Sequence, residues 1–461
     1  MSNNPLVNEK SGIFRKMKKY NNGKNSEMKS IGAIEWYLLG INNAINICAK
    51  ASACCWDKQI PEGFDNVAEY VAKRSRTGHT SILEHSNMVL YLKIDDTYTE
   101  ALMEFLDSVN YLNTKVFKIK NNESNSWRMV IGGSYRGYSD LYREASDLKN
   151  PILMVITSCL YTYAHSAAFE DIINLGLLEK SRFFNVEPDE NFNLLNSLDS
   201  EYDHELFKVL GMDSIKKIYT NLYKIDPEAA KAISTFDLIK FATITIMFKN
   251  MSRTCTHQLV RHRNAITQES QRYVDYSTAC FNSPEIFKPD KYDKDHKYKI
   301  RFGPSSQMNL TLSEIGEAIC GIYSMLSNPS ITGQEYHLLK EDARAFLPSN
   351  VQCKKIYMTY TFKNFLKFLN LREDKHAQAE IRMYATAVGE WFRSVSEFNT
   401  KEICDLYTNP RLLIVDPFNI DVDEGIVEEE IEITEDDYIK AAGLDADDST
   451  EGSDDSNIDN K

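Results

Sequence analysis

The chain has 461 residues, 43% of them apolar, which is enough to bury a substantial core and on length alone suggests about two to three domains. No run approaches the roughly 18–20 apolar residues of a membrane span, and the polar, lysine- and asparagine-rich stretch Met1–Ser30 lacks the apolar centre of a signal peptide, so a cytoplasmic location is expected. The formal charge of −14 is misleading: residues 419–461 hold 17 acids and two lysines, net −15, which leaves 51 basic against 50 acidic residues elsewhere, +1.

The body is therefore near neutral and the acidity belongs to a tail, read as disordered because it cannot bury enough apolar surface to offset ordering entropy. A near-neutral body also lacks the broad basic surface that nucleic-acid binding wants. Nine scattered cysteines without a C-x-x-C pair argue against a disulfide framework and a structural zinc site, and no residue set is assigned to a metal.

In chain order, residues 31–60 read as helix, from the spacing of Leu38, Ile41, Ile45 and Cys48. A second helix, Asn66–Arg76, ends at Gly78. Met88–Leu92 suits a buried strand. A helical piece (Tyr98–Leu112), a polar stretch (Lys118–Asn125), a strand (Trp127–Ile131), an apolar helix (Ile152–Leu175) and an acidic loop (Asn185–Tyr202) follow. Phe241–Phe248 is a β-branched strand, and Ser252–Arg263 starts a helix or turn. Lys288–Lys299 is a charged excursion. Helices are expected over Leu310–Met325 and Glu335–Ala345, a strand over Ile356–Phe362, and one long helix over Lys363–Val395 with an apolar stripe of Phe365, Leu369, Ala377, Ile381 and Ala385.

Three constellations could carry chemistry. The densest is Arg261–Ser277. Arg261 and Arg263 flank His262, and Arg272 adds another cation. Such repulsion is relieved by an anion, and phosphate matches the guanidinium fork. Thr267, Gln268 and Ser270 supply neutral donors and acceptors for a base or sugar. By itself the run reads first as a solvated basic turn or a patch for nucleic acid. The second, Gly78-His79-Thr80-Ser81 with Glu84 and His85, is either ligand-facing or a capping turn. The third comprises Asn370, Arg372, His376, Gln378 and Glu380, where Arg372, His376 and Glu380 could instead form a charge ladder along one helix face. Arg344, before Leu347-Pro348, is a lone candidate of the same kind.

Together and in order, these segments resemble the flavin-dependent thymidylate synthase family. Its signature of Arg-His-Arg, seven residues, Ser and then Arg-Tyr is matched by Arg261-His262-Arg263 and Ser270-Gln271-Arg272-Tyr273, with six residues between Arg263 and Ser270. Thr256-His257-Gln258-Leu259-Val260, Gly78 to Ser81, Glu84-His85, Ala343-Arg344 before Leu347-Pro348, Phe368 to Arg372 and His376 to Gln378 also match. Thr361-Phe362-Lys363 replaces the family's Asn-x-Arg, and Lys367 stands where the family usually has Asn or His.

The resemblance implies an α+β fold, an antiparallel sheet flanked by long helices, with a large mostly helical insertion. The boundaries expected are 1–30 (polar segment), 31–93 (first synthase block), 94–240 (insertion), 241–415 (second block, with the nucleotide and flavin site) and 416–461 (acidic tail). It implies reductive methylation of dUMP to dTMP with bound FAD, and methylenetetrahydrofolate and NADPH as co-substrates, in a homotetramer with shared sites. Arg372 would polarise the uracil. Gln258, Arg261, Gln268, Ser270, Arg272, Arg344 and Arg372 would hold dUMP. His79, Ser81, Arg261, His262, Arg263, Gln268 and Lys363 would hold the flavin. A relative that hydroxymethylates uracil and a non-catalytic nucleotide-binding relative are the alternatives.

Overall fold

A computed structural model describes residues 29–31, 34–41, 44–56, 58–120, 125–144, 150–163, 202–212, 215–262, 264–301, 303–304, 306–328, 330 and 337–395. All belong to the first of two compact units, Met1–Phe418; the second, Asn419–Lys461, lies outside them, as do Arg263 and the expected loop over 185–201.

Strands β1 (Lys29–Ile31) and β2 (Ile34–Ile41) lead into helices α1 (Ala44–Trp56) and α2 (Phe64–Arg76). After a 3-10 turn, Thr80–His85, come β3 (Met88–Asp95), α3 (Thr99–Asp107), β4 (Asn113–Lys120), β5 (Asn125–Gly133), α4 (Tyr135–Glu144) and α5 (Pro151–Tyr163). Then follow β6 (Tyr202–Asp203), β7 (Phe207–Met212), α6 (Ile215–Ile225), α7 (Pro227–Ala232), α8 (Thr235–Phe241), β8 (Thr243–Ser252), α9 (Arg253–Leu259) and β9 (Ala265–Gln268). The chain continues through β10 (Tyr298–Arg301), β11 (Gln307–Leu310), α10 (Leu312–Ser327), β12 (Gln352–Thr361), α11 (Phe362–Glu373) and α12 (Ala379–Ser394).

Two five-stranded antiparallel sheets result, in the orders β1-β2-β3-β5-β4 and β6-β7-β8-β12-β9, and β10 and β11 form a separate ribbon. The mixed helix and antiparallel sheet character agrees with the α+β expectation. Residues 94–240 supply β4 and β5 to the first sheet and β7 to the second, so their described part is not helical throughout. Phe117-Lys118-Ile119-Lys120, whose last three residues enter the expected polar stretch, alternates with the period of 2 that suits a strand.

β3 is buried on both sides, as its apolar run predicts. Met88, Leu90, Leu92 and Ile94 face one core with α1, α2, α4 and α5, while Val89 and Tyr91 face another with α6, α8 and the second sheet. Helix α1 lies between the sheets: Ile45, Cys48 and Ala49 join the first core, whereas Ala51 and Cys54 meet Leu210, Met247 and Tyr357 of the second sheet.

Three expected helices differ. Residues 34–41 are strand, because Ile34 and Trp36 alternate into the core and the apparent helical spacing straddles the strand end and the start of α1. The long C-terminal helix is broken between α11 and α12, where Asp374 accepts from the His376 N–H at 2.7 Å. Of Glu335–Ala345, only Lys340–Ala343 forms an α-helical turn among the described residues.

Two buried polar links tie the layers. Asp226 accepts from Tyr91 Oη at 2.5 Å and Arg128 Nε at 2.8 Å, and also caps α7 through Ala229 N–H at 3.1 Å. Burial alone would raise its pKa, but the bonds from Tyr91, Ala229 and Arg128 hold it below the usual value. His85 sits between Thr359 Oγ1 and Thr267 Oγ1, each 2.9 Å from a ring nitrogen, and burial lowers its pKa from 6.5 to about 3.

Replacing Asp226 by Ala strands the Arg128 guanidinium, so a loss of about 3–5 kcal/mol is expected, read as a lower denaturant midpoint at unchanged m-value. Between pH 6.5 and about 3 the unfolded chain takes up a proton that folded His85 refuses. Stability should therefore fall on acidification through that window, and His85→Gln should flatten this part of the melting temperature against pH.

Candidate functional site

The expected site residues fall into two groups at opposite ends of β9, a strand whose four residues span about 13 Å.

The first group grows from α9 and α11. Ser252 ends β8 and caps α9 by accepting from the Cys255 N–H, and Thr361 ends β12 and caps α11 in the same way. Helix α9 presents Gln258 and leads into a 3-10 turn, Val260–His262, that exposes Arg261. Arg372, in the last turn of α11, donates from Nε to His262 Nε2 at 2.9 Å. His262 therefore carries its proton on Nδ1. Its ring packs edge-on against Phe368, with centroids 5.3 Å apart. Burial first, then Arg372, Lys367 and Arg261, lower its pKa to about 4, so it is neutral near pH 7. Burial and Arg261 likewise lower that of Arg372. Lys363 is shifted down by burial, Lys240 and Lys367. Among the described residues neither Arg261 nor Arg372 pairs with a carboxylate. Gln258 of α9 bonds Gln378, which lies in the break between α11 and α12.

The charge ladder along Arg372, His376 and Glu380 does not form, because the helix break separates the three. His376 pairs with Asp374 at 2.7 Å at the surface. Glu380, 4% exposed, accepts from Ser252 N and from Asn282 Nδ2, each at 2.7 Å, and from the Ser252 hydroxyl.

The second group forms where α1 ends. Gly78, at φ +89°, turns the chain after α2 and sets His79 edge-on to Trp56, 4.5 Å between centroids. Trp56 also meets Tyr273 at 5.9 Å, and the Arg74 guanidinium lies 4.5 Å from the Trp56 ring centre. Ser81 is exposed beside this cluster in sequence. Ser270 N–H donates to Cys55 O at 3.3 Å, and its Oγ accepts from Arg272 N–H at 3.3 Å, so it is a hydrogen-bonding residue with no base beside it among the described contacts. Arg272 pairs with Glu341 at 3.2 Å, and Arg344 donates to Glu341 O at 3.1 Å. Arg272 thus meets the exposed Glu341 carboxylate, and Arg344 the main-chain oxygen of the same residue.

Between the groups, Gln268 ends β9 opposite Ile356, with its Oε1 buried and unpartnered. Trp56, Arg74 and Glu341 were not singled out by sequence reasoning. Only the pattern Cys55-Trp56, an aromatic closing an apolar helix, hints at the first.

Cationic groups that lower one another's basicity, together with an orphaned buried amide oxygen, suit an anionic, heteroaromatic ligand such as FAD or a nucleotide. Among the described residues no cluster of three metal-ligating side chains occurs, and no helix is long and apolar enough to cross a membrane.

Residues 187–396 match the family model described as thymidylate synthase complementing protein. A flavin-dependent thymidylate synthase from Kosmotoga olearia is 33% identical over 138 residues, 30% of this chain and 57% of that protein. One from Pyrococcus abyssi is 31% identical over 193 residues, covering 40% and 65%. A solved Helicobacter pylori enzyme of that name, complexed with FAD and dUMP, aligns at 14% identity with a TM-score of 0.24, covering 38% of this chain and 77% of that one. The chain spans less than two thirds of the length of these curated relatives. Through residues 187–396 the chain is thus similar to the flavin-dependent thymidylate synthases.

Proposed function

We propose that this protein is a methyltransferase that converts dUMP to dTMP with bound FAD, taking the one-carbon unit from methylenetetrahydrofolate and reducing equivalents from NADPH. The observation that carries the reading is the pairing of Arg372 with neutral His262. A guanidinium that spends one donor on an uncharged imidazole keeps its full charge for a ligand. His262 fixes its orientation, and the remaining N–H groups are free to meet a uracil carbonyl edge as negative charge develops there.

The flavin supplies the hydride in this chemistry. The chain's own task is to hold and polarise the nucleotide. Arg261, His262, Lys363 and Gln268, with Arg263, His79 and Ser81, would hold the dinucleotide. Gln258, Arg261, Gln268, Ser270, Arg272, Arg344 and Arg372 would hold dUMP. Lys363 keeps a cation where the family has Arg, but not its two-pronged grip. Cys255, whose ionisation is coupled to Arg372, has its pKa pushed well up by burial, so it stays a thiol and offers the ring no nucleophile.

A cytoplasmic homotetramer belongs to the same reading. Because Arg272 and Arg344 lie at the other end of β9 from Arg261 and Arg372, a site shared between copies would let one chain supply the phosphate end and another the uracil end.

The purified protein should be yellow, and its flavin absorption bands should shift on adding deoxyuridylate; a colourless protein that takes up no added FAD sinks the proposal. Arg372→Ala should lower dTMP formation by about 100-fold or more while retaining the flavin spectrum. Arg272→Ala should weaken deoxyuridylate binding by about tenfold, as loss of one charge-assisted hydrogen bond does, measured by titrating the flavin bands.

A further inference from the structure

We infer that Arg136, on α4 within the 94–240 segment, is a positioning residue for the flavin: it holds Thr80, and with it His79 and Ser81 on either side. The inference rests on the thymidylate-synthesis reading. It gives the segment between the two expected synthase blocks a part in the site that neither the motifs nor that reading assigned to it. It joins residues of one chain at one end of β9, so it is independent of which copy supplies the rest of the site.

The 3-10 turn Thr80–His85 is anchored unevenly. Its second half buries Ile82, Leu83 and His85, and His85 is bonded to Thr267 and Thr359 of the second sheet. Its first half buries no side chain: His79 and Thr80 are half-buried and Ser81 is exposed. Gly78, just before them, has the backbone freedom of a residue without Cβ. The two residues placed on the flavin from this turn are thus the ones that the hydrophobic core does not reach.

Arg136 supplies the missing hold. Helix α4 is seated by Tyr135, Tyr138, Leu141 and Tyr142, all buried in the first core, and Tyr138 Oη donates to Met88 O at 3.1 Å. The Tyr135 N–H donates at 2.6 Å to Ser86 Oγ, just past the end of the turn. One residue on, Arg136 donates from Nη1 to Thr80 Oγ1, at its start. The same guanidinium donates from Nε to Asp140 Oδ2 at 2.7 Å. Two nitrogens of one planar group are therefore committed, and its orientation is set from within α4. Glu84 lies against the same groups: burial raises its pKa, Arg136 lowers it and Asp140 raises it. Two consecutive residues of α4 thus bridge the turn from end to end and tie its loose half to the first core. A ligand-holding residue is only as well placed as the groups that lock it, within about 0.5 Å.

A bond that served folding alone would show in stability and not in flavin affinity, so the test reads both. The full-length FAD-loaded protein is compared with Arg136→Met, Thr80→Val, the double variant and Arg143→Met. The last breaks a neighbouring pair, Arg143 Nη1 to Asp140 Oδ1 at 2.9 Å, on the same helix. The FAD dissociation constant is measured by equilibrium dialysis, with melting temperature in parallel. Arg136→Met and Thr80→Val should each raise the dissociation constant about tenfold, the scale of a lost charge-assisted hydrogen bond. The double variant should bind no more weakly than the weaker single one, because both changes remove one link. Arg143→Met should bind FAD as the parent does. If Arg136→Met does not fold, Thr80→Val decides alone. Unchanged FAD affinity in the folded variants, losses that add in the double variant, or an equal loss in Arg143→Met overturns the assignment. If the parent itself takes up no FAD, the functional reading fails and the assignment falls with it. If the parent binds FAD and the variants bind it equally well, the reading stands and the assignment alone is wrong.

Discussion

The antiparallel ladder between β8 and β12 is the constraint from which the site follows. It runs from Thr243 opposite Thr361 to Ser252 opposite Gln352. Each strand ends in a hydroxyl that caps the next helix, Ser252 for α9 and Thr361 for α11. Because the strands are antiparallel, these helices leave from opposite ends of the ladder. α11 then runs back along the sheet, so that its last turn brings Arg372 to the His262 that follows α9. Ile244, Ile246, Phe248, Phe365, Phe368 and Leu369 bury the space between the ladder and α11. Hydrophobic packing thus fixes Arg372 beside the turn that carries Arg261, a second cation that it would not choose as a neighbour.

Burial does a second job here. It makes His262 a poor base and so keeps it neutral, which lets Arg372 rest on it without meeting a third positive charge. The same effect keeps His85 neutral between two threonines, where it fastens the turn carrying His79 and Ser81 to the second sheet. Two histidines in the matched motifs are thus structural acceptors and donors rather than proton carriers near neutral pH.

Much of this was legible in the sequence because the motifs mark chain turns with unmistakable chemistry: Gly78 with its left-handed backbone, Arg261-His262, and Arg372. The buried character of β3 was also visible as an unbroken apolar run. Other features were not. β2 and α1 share one apolar rhythm across a boundary marked only by Gly40 and Asn42-Asn43, so the strand read as helix. Glu380 followed Arg372 and His376 at four-residue spacing, but the bend at Asp374 sends it inward to Ser252, a partner 128 residues away. Arg136 showed nothing of its link to Thr80, a partner 56 residues away. The one-residue shortfall before Ser270 also changes meaning: it falls in and beside a strand rather than a helix, where one residue is half a period and the ladder to β12 must set the phase.

Glu341 is exposed on the short turn just before Arg344. It pairs with Arg272 and, through its backbone, receives Arg344. Its carboxylate occupies, in charge and shape, part of what a phosphate oxygen pair would offer. An arriving nucleotide would exchange one anion for another at Arg272 rather than bind a bare cation. The arginine is kept oriented and solvent-accessible before the ligand comes, while the affinity gained there is only the difference between two ion pairs. An exchange of that kind favours discrimination between nucleotides with and without a phosphate over tight holding, and it leaves a displaced carboxylate nearby to help the product depart.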